Sequence, residues 1–161
     1  MTQPTQEQLK ELIELYQSGK LDEAEIEVQK LLKQFPNDLT CLNILGVITD
    51  RKGQTEQAIK IYQKALQINE NSAETHFNIG SILHRLGRSN EARISYEKAI
   101  TIKPDFLNAY FNLGLVYQNL QSYKEAIENY QKAIELKSDF HEAIGAMGTA
   151  FQVQGDLDEA I

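Results

Sequence analysis

Small and apolar residues recur along this chain with the period of an α-helix. Between Leu107 and Phe140, Tyr110, Leu113, Gly114 and Tyr117 fall at i, i+3, i+4 and i+7, and Ala126, Tyr130, Ala133 and Leu136 follow nearly the same rule. The polar pair Gln121-Ser122 separates the two runs and reads as a turn. Each run predicts a helix of about 14 residues with one apolar face, which a lone helix of that length cannot bury. The pair therefore predicts a helical hairpin that leans on neighbours.

The neighbours are further copies of the same hairpin. Gly46, Gly80, Gly114 and Gly148 are 34 residues apart, and Ala24, Ala58, Ala92, Ala126 and Ala160 repeat that step. So do Tyr62, Tyr96 and Tyr130, and Ala65, Ala99 and Ala133. After a lead-in at 1–4, expected to be disordered, the register divides the chain into repeats at 5–38, 39–72, 73–106, 107–140 and a truncated 141–161. Gly19, Gly53, Gly87 and Gly155 mark turns inside repeats, and Pro36 and Pro104 end second helices. The fourth repeat has Gln121 and Ser138 at those two kinds of position, which predicts softer helix ends there. The first repeat departs most, with Leu12 and Leu31 where its sisters carry Gly and Ala. Glycine or alanine at the tight positions brings helix axes close, and Tyr62, Tyr96, Tyr117 and Tyr130 fill the space beside them.

A helix–turn–helix unit of 34 residues with Leu-Gly, Tyr, Ala, an aromatic, Ala and Pro in this order resembles the tetratricopeptide repeat (TPR) along nearly the whole chain. The resemblance implies an all-α, right-handed solenoid of about four full repeats plus part of a fifth: nine full helices and a stub. Ending inside a repeat, the chain reads as the N-terminal part of a longer protein, because such arrays finish in a polar cap.

Composition narrows the function. A net charge of −7 and a pI near 5.0 argue against nucleic acid as partner. The one cysteine, Cys41, cannot form an internal disulfide, no leader-like apolar segment follows Met1, and no run approaches membrane-spanning length. These features predict a cytoplasmic protein without membrane contact. No phosphate-cradling glycine loop, nucleophile elbow or CxxC pair occurs, and His76, His84 and His141 lack partners at metal-ligand spacing. His76 stands where sister repeats carry Leu42, Tyr110 and Ile144, so packing is its expected role. Asp22-Glu23, Asn90-Glu91, Lys124-Glu125 and Asp158-Glu159 recur before each repeat's alanine and are expected to serve the N-termini of second helices. No catalytic residue, cofactor or metal is therefore expected, and the chain reads as non-enzymatic.

The face of each first helix opposite the core is not the usual Lys/Glu coat. Turning 100° per residue, repeat positions 2, 5, 6, 9, 12 and 13 share it, and it carries Asn43, Arg51, Phe77, Asn78, His84, Arg85, Phe111, Asn112, Gln118 and Asn119. Aromatic and Arg side chains anchor interfaces, and asparagine can both donate to and accept from a peptide backbone. By resemblance this face lines the concave groove in which TPR arrays hold peptides or partner helices. The Lys/Asn carboxylate clamp of co-chaperone TPR domains is absent, since position 5 reads Leu9, Asn43, Phe77, Phe111 and Gly145. The asparagines at position 6, Asn78 and Asn112, look closer to the arrays of O-linked N-acetylglucosamine transferases, and the opening of the chain is similar to repeat regions of bacterial transferases.

The leading expectation is a non-catalytic scaffold binding a protein or peptide segment. Two others stand beside it: the substrate-docking arm of a glycosyl-, sulfo- or methyltransferase whose catalytic domain follows residue 161, and a self-assembly module. Self-association is expected through the C-terminal helix, with Ala146, Ala150 and Phe151 on its uncovered face.

Overall fold

A computed structural model of the chain describes residues 3–159, with side chains through residue 155. Among the described residues are nine α-helices and no strand. They are α1 (Gln6–Gln17), α2 (Leu21–Gln34), α3 (Leu39–Arg51), α4 (Thr55–Ile68), α5 (Ala73–Arg85), α6 (Ser89–Ile102), α7 (Leu107–Asn119), α8 (Tyr123–Leu136) and α9 (His141–Glu159). The fold is an all-α solenoid. The chain forms two compact units, one up to Asn78 and one from Ile79, so α5 contributes its opening residues to the first and the remainder to the second.

In the first unit Thr5 and Gln8 form a reciprocal capping box that starts α1, and Asp38 caps α3 by accepting from the Cys41 N–H at 2.9 Å. Leu12, Ala24, Val28, Leu31, Cys41 and Ile48 make a fully buried core, bordered by Tyr16, Phe35 and Leu45. Leu12 and Leu31, the residues that set the first repeat apart, therefore fill its interior. Burial pushes the Cys41 thiol up to about 12, so it is an inert packing group. In the second unit Ala126, Tyr130 and Ala150 are fully buried, with Phe111, Leu115, Tyr117 and Met147 packed around them.

One close approach recurs in both units. A methyl on Gly46 would lie 2.5 Å from the Tyr62 ring, and one on Gly80 would lie 2.8 Å from Tyr96. The Gly114 backbone meets the Tyr130 ring in the same way. Tyr62, Tyr96 and Tyr130 are at most 1 % exposed, each contributing about 1.5–3 kcal/mol of apolar burial. Tyr117, expected beside them, is only half-buried; its hydroxyl donates to Glu97 at 2.9 Å.

Within the first four hairpins, three-residue turns close with a backbone bond back to the last turn of the first helix. Ser122 N–H, for example, donates to Tyr117 C=O at 2.9 Å. Such a turn needs one left-handed residue. Glycine supplies it three times, and Gln121 supplies it in the fourth at φ 59°.

Three expectations are corrected. Gly155 makes no turn: α9 runs unbroken from His141 to Glu159. Elsewhere a 14-residue second helix folds back on the first and holds the turn, and a glycine permits a turn without imposing one. Asp158-Glu159 thus lie in the last turn of α9, and Ala160 and Ile161 fall outside the described residues. Second, the caps of the second helices, Lys20, Gln54, Arg88 and Ser122, make no side-chain cap bond; of the neighbouring acids, Asp22 pairs with Lys52, Glu23 with Lys20 and Glu91 with Arg88. Third, Ala150 is fully buried and Ala146 packs against the α8 core; among the described side chains of α9 the large apolar ones left exposed are Ile144 and Phe151.

Candidate functional site

The first-helix faces are built from side chains that hold one another. In the first unit Asn43 is half-buried, and its amide is engaged through both its oxygen and its nitrogen. Its Nδ2 donates to Leu39 C=O at 2.9 Å, while its Oδ1 accepts from Thr75 Oγ1 at 3.0 Å and from Asn78 Nδ2 at 3.3 Å. Thr75 is fully buried and bonds Ser72 Oγ at 2.7 Å, so a polar chain joins α3 to the start of α5. The structure thus brings Asn43 and Asn78 together, as braces between helices. Phe77 is half-buried. Arg51 stands apart at the end of α3, exposed, with its guanidinium 4.5 Å above the Tyr16 ring. His76 is buried, as expected of a packing residue, and its Nε2 bonds Glu70 C=O at 2.9 Å. Where α3 begins, Thr40, Asn43 and Ile44 face Asn69, Asn71 and Ser72 across a cleft of about 300 Å³.

In the second unit Asn119 Nδ2 lies 2.8 Å from His84 Nε2, joining equivalent faces one repeat apart. Burial holds the His84 pKa below its usual value, so the ring is neutral at pH 7 and accepts from the amide. Gln118 accepts from the Tyr130 hydroxyl at 2.9 Å, which lets that ring lie fully buried with its polar end satisfied. The Tyr96 hydroxyl donates to Ser81 at 3.2 Å, and Asn112 also hydrogen-bonds it. Phe111 is half-buried rather than presented to solvent, its ring 5.0 Å from Phe140 and 5.9 Å from Tyr130. Arg85 is exposed.

The residue missed by sequence reasoning is Thr75. It stands where sister repeats have Cys41, Ala109 and Ala143, and a lone hydroxyl at an otherwise apolar position was the available signal. No group of three or more His, Cys, Asp or Glu side chains among the described residues could hold a metal ion, and no described helix is long and apolar enough to cross a membrane.

Two family models match the sequence: a TPR repeat over residues 51–87 and 80–121, and a tetratricopeptide repeat over 107–140. Together they cover 51–140, more than half of the 161 residues. The chain belongs to the tetratricopeptide repeat family. Among solved structures this TPR chain is similar to MamA, at 31% identity over 91% of this chain and 86% of that one, with a TM-score of 0.77. It is similar to PilF of Pseudomonas aeruginosa, at 22% identity over 92% and 68% of the two chains and a TM-score of 0.85, a likeness of fold. It is also similar to YrrB, described as a TPR protein with an unusual peptide-binding site, at 25% identity over 82% and 68% and a TM-score of 0.68. The sequence matches no curated protein. The closer likeness to transferase arrays gains no support from these neighbours, and its two asparagines are engaged internally, Asn78 with Asn43 and Asn112 with Tyr96.

Proposed function

We propose that this TPR chain is a protein-interaction scaffold whose first-helix faces bind an extended peptide or protein segment. In the first unit the face is that of α3 with the opening of α5; in the second it is the rest of α5 with α7. The observation that carries the reading is the bracing of polar side chains between successive repeats, Asn43 to Asn78 at 3.3 Å and His84 to Asn119 at 2.8 Å. Such bonds fix the spacing of the faces before any partner arrives, and a pre-organised surface loses less entropy on binding. Around the braces, exposed Thr40 and Arg51 in one unit and Asn108 and Asn119 in the other offer donors to a peptide backbone. YrrB, similar in fold and 25% identical, has a peptide-binding site, which supports the reading. The transferase-arm alternative has no comparable observation behind it.

The test is selection of peptides from a displayed random library on the chain, followed by titration of the best binder into Arg51→Glu and Arg85→Glu variants. Both positions are exposed, and circular dichroism checks that each variant is folded. Enrichment of peptides whose affinity falls about tenfold or more in at least one variant is expected. Binders indifferent to both substitutions, or no enrichment, would contradict the reading.

A further inference from the structure

In the second unit the loop between α8 and α9 sends Phe140 back against α7. Its ring lies 5.0 Å from that of Phe111, with Lys137 Nζ 5.9 Å from its centroid. Two repeats earlier in the same register stand Ser72, Asn43 and Asn69, since 140 − 72 = 111 − 43 = 137 − 69 = 68. The first unit thus lacks the ring pair and the cation together. In their place lies the cleft of about 300 Å³ beside the start of α3, at the low end of ligand pockets. The second unit fills the equivalent place with one of its own side chains, so a side chain is what such a seat admits.

Half-buried Leu39 and Ile44 give the cleft an apolar wall. Asn43 beside them is fixed by Leu39 C=O, Thr75 and Asn78. Its oxygen is spent on two donors, and Asn69 Oδ1 accepts from the Asn71 N–H at 3.0 Å. Both amides keep Nδ2 protons to give. At the rim Thr40 and Asn71 are exposed, and their side chains hydrogen-bond no described residue. Donors therefore outnumber acceptors, yet no cation lines the cleft, and the one charged lining residue, Glu74, is an acid. A carboxylate would meet that charge with no counter-charge. An ammonium, which only donates, would face further N–H groups, and a phenyl ring would strip water from amides it cannot bond. A carboxamide suits both sides: its oxygen accepts from Asn43 and Asn69, and its NH2 donates to Asn71 Oδ1 or the Thr40 hydroxyl. We infer that this cleft is a carboxamide subsite taking a glutamine or asparagine side chain of the segment bound along α3, a role that rests on the peptide-binding reading above.

Displayed random peptides, selected in parallel on the full chain and on a Thr40→Ala/Asn71→Ala variant shown by circular dichroism to be folded, test this. The parent is expected to enrich one Gln or Asn position. Replacing that residue by Glu, Lys or Phe weakens the best binder about tenfold or more on the parent and roughly twofold or less on the variant. Peptides enriched in Glu, Lys or Phe instead, or a Gln/Asn preference that survives in the variant, would overturn the subsite and leave the peptide-binding reading standing. If no peptide is enriched, that reading fails, and N-acetylglutamine N-methylamide titrated into the isotope-labelled chain decides the subsite alone. Shifts of the Asn43, Asn69 and Asn71 side-chain amide signals, absent with the glutamate analogue, sustain it, and their absence overturns it.

Discussion

Gly114 and Gly148 are one repeat apart in identical register, 148 − 114 = 34, yet their surroundings are opposite. Gly114 is pressed against the Tyr130 ring, while Gly148 faces open space. The hairpin α7–α8 is closed: α8 folds back through a left-handed Gln121 and covers its partner. The α9 helix is open, passing straight through the residue that should have turned it. The same glycine is thus a packing requirement in one place and an unoccupied notch in the other. The repeat pattern specifies a seat, and only a second helix makes that seat into core.

The largest expected effect follows from this contrast. Gly114→Ala drives a methyl into the Tyr130 ring and should destabilise the protein by about 1–3 kcal/mol. Gly148→Ala should stabilise the chain, by about 0.5–1 kcal/mol, because helix interiors favour alanine where space is free. Urea unfolding at low protein concentration measures both. Equal signs for the two substitutions would erase the distinction between closed and open.

A smaller effect tests how the closed hairpin is clasped. The Tyr130 hydroxyl is satisfied by Gln118, and burial raises its pKa to about 12, so it is a neutral donor at ordinary pH. Tyr130→Phe removes the bond but keeps the ring on Gly114, and should cost about 0.5–1.5 kcal/mol. A loss matching that of Gly114→Ala would mean that the hydroxyl, not the close approach, holds the hairpin.

What the sequence made legible was what recurs. Period and register gave the helices, their turns and the glycine–tyrosine contacts, because each is a local demand repeated by the same residue at the same step. The open end was misread for a physical reason. Gly155 sits in register with Gly19, Gly53 and Gly87, but a glycine only permits a turn; the folding back of a long second helix stabilises it. The register placed the first-helix faces, but the contacts of their side chains could not be read from it. Asn43 was expected to grip a ligand and instead accepts from Thr75 and Asn78, and Phe111 was expected in solvent and instead packs against Phe140. Polar pairing across a 35-residue separation depends on how far one repeat lies from the next, which no single repeat encodes.

The smallest expected effect sits at the turn of the closed hairpin. Gln121→Gly relieves a left-handed residue at φ 59° and should stabilise by about 0.5–1 kcal/mol, read as a higher urea midpoint at unchanged slope. A lower midpoint would show that the Gln121 side chain contributes more than its backbone costs.

The central claim, that the first-helix faces receive a peptide, is tested most directly by mapping amide chemical shifts of the isotope-labelled chain during titration with the best selected peptide. The account predicts the largest changes on α3, α5 and α7, at residues such as Thr40, Arg85, Asn108 and Asn119. Changes concentrated instead on α2, α4, α6 and α8, with these first helices unmoved, would contradict it.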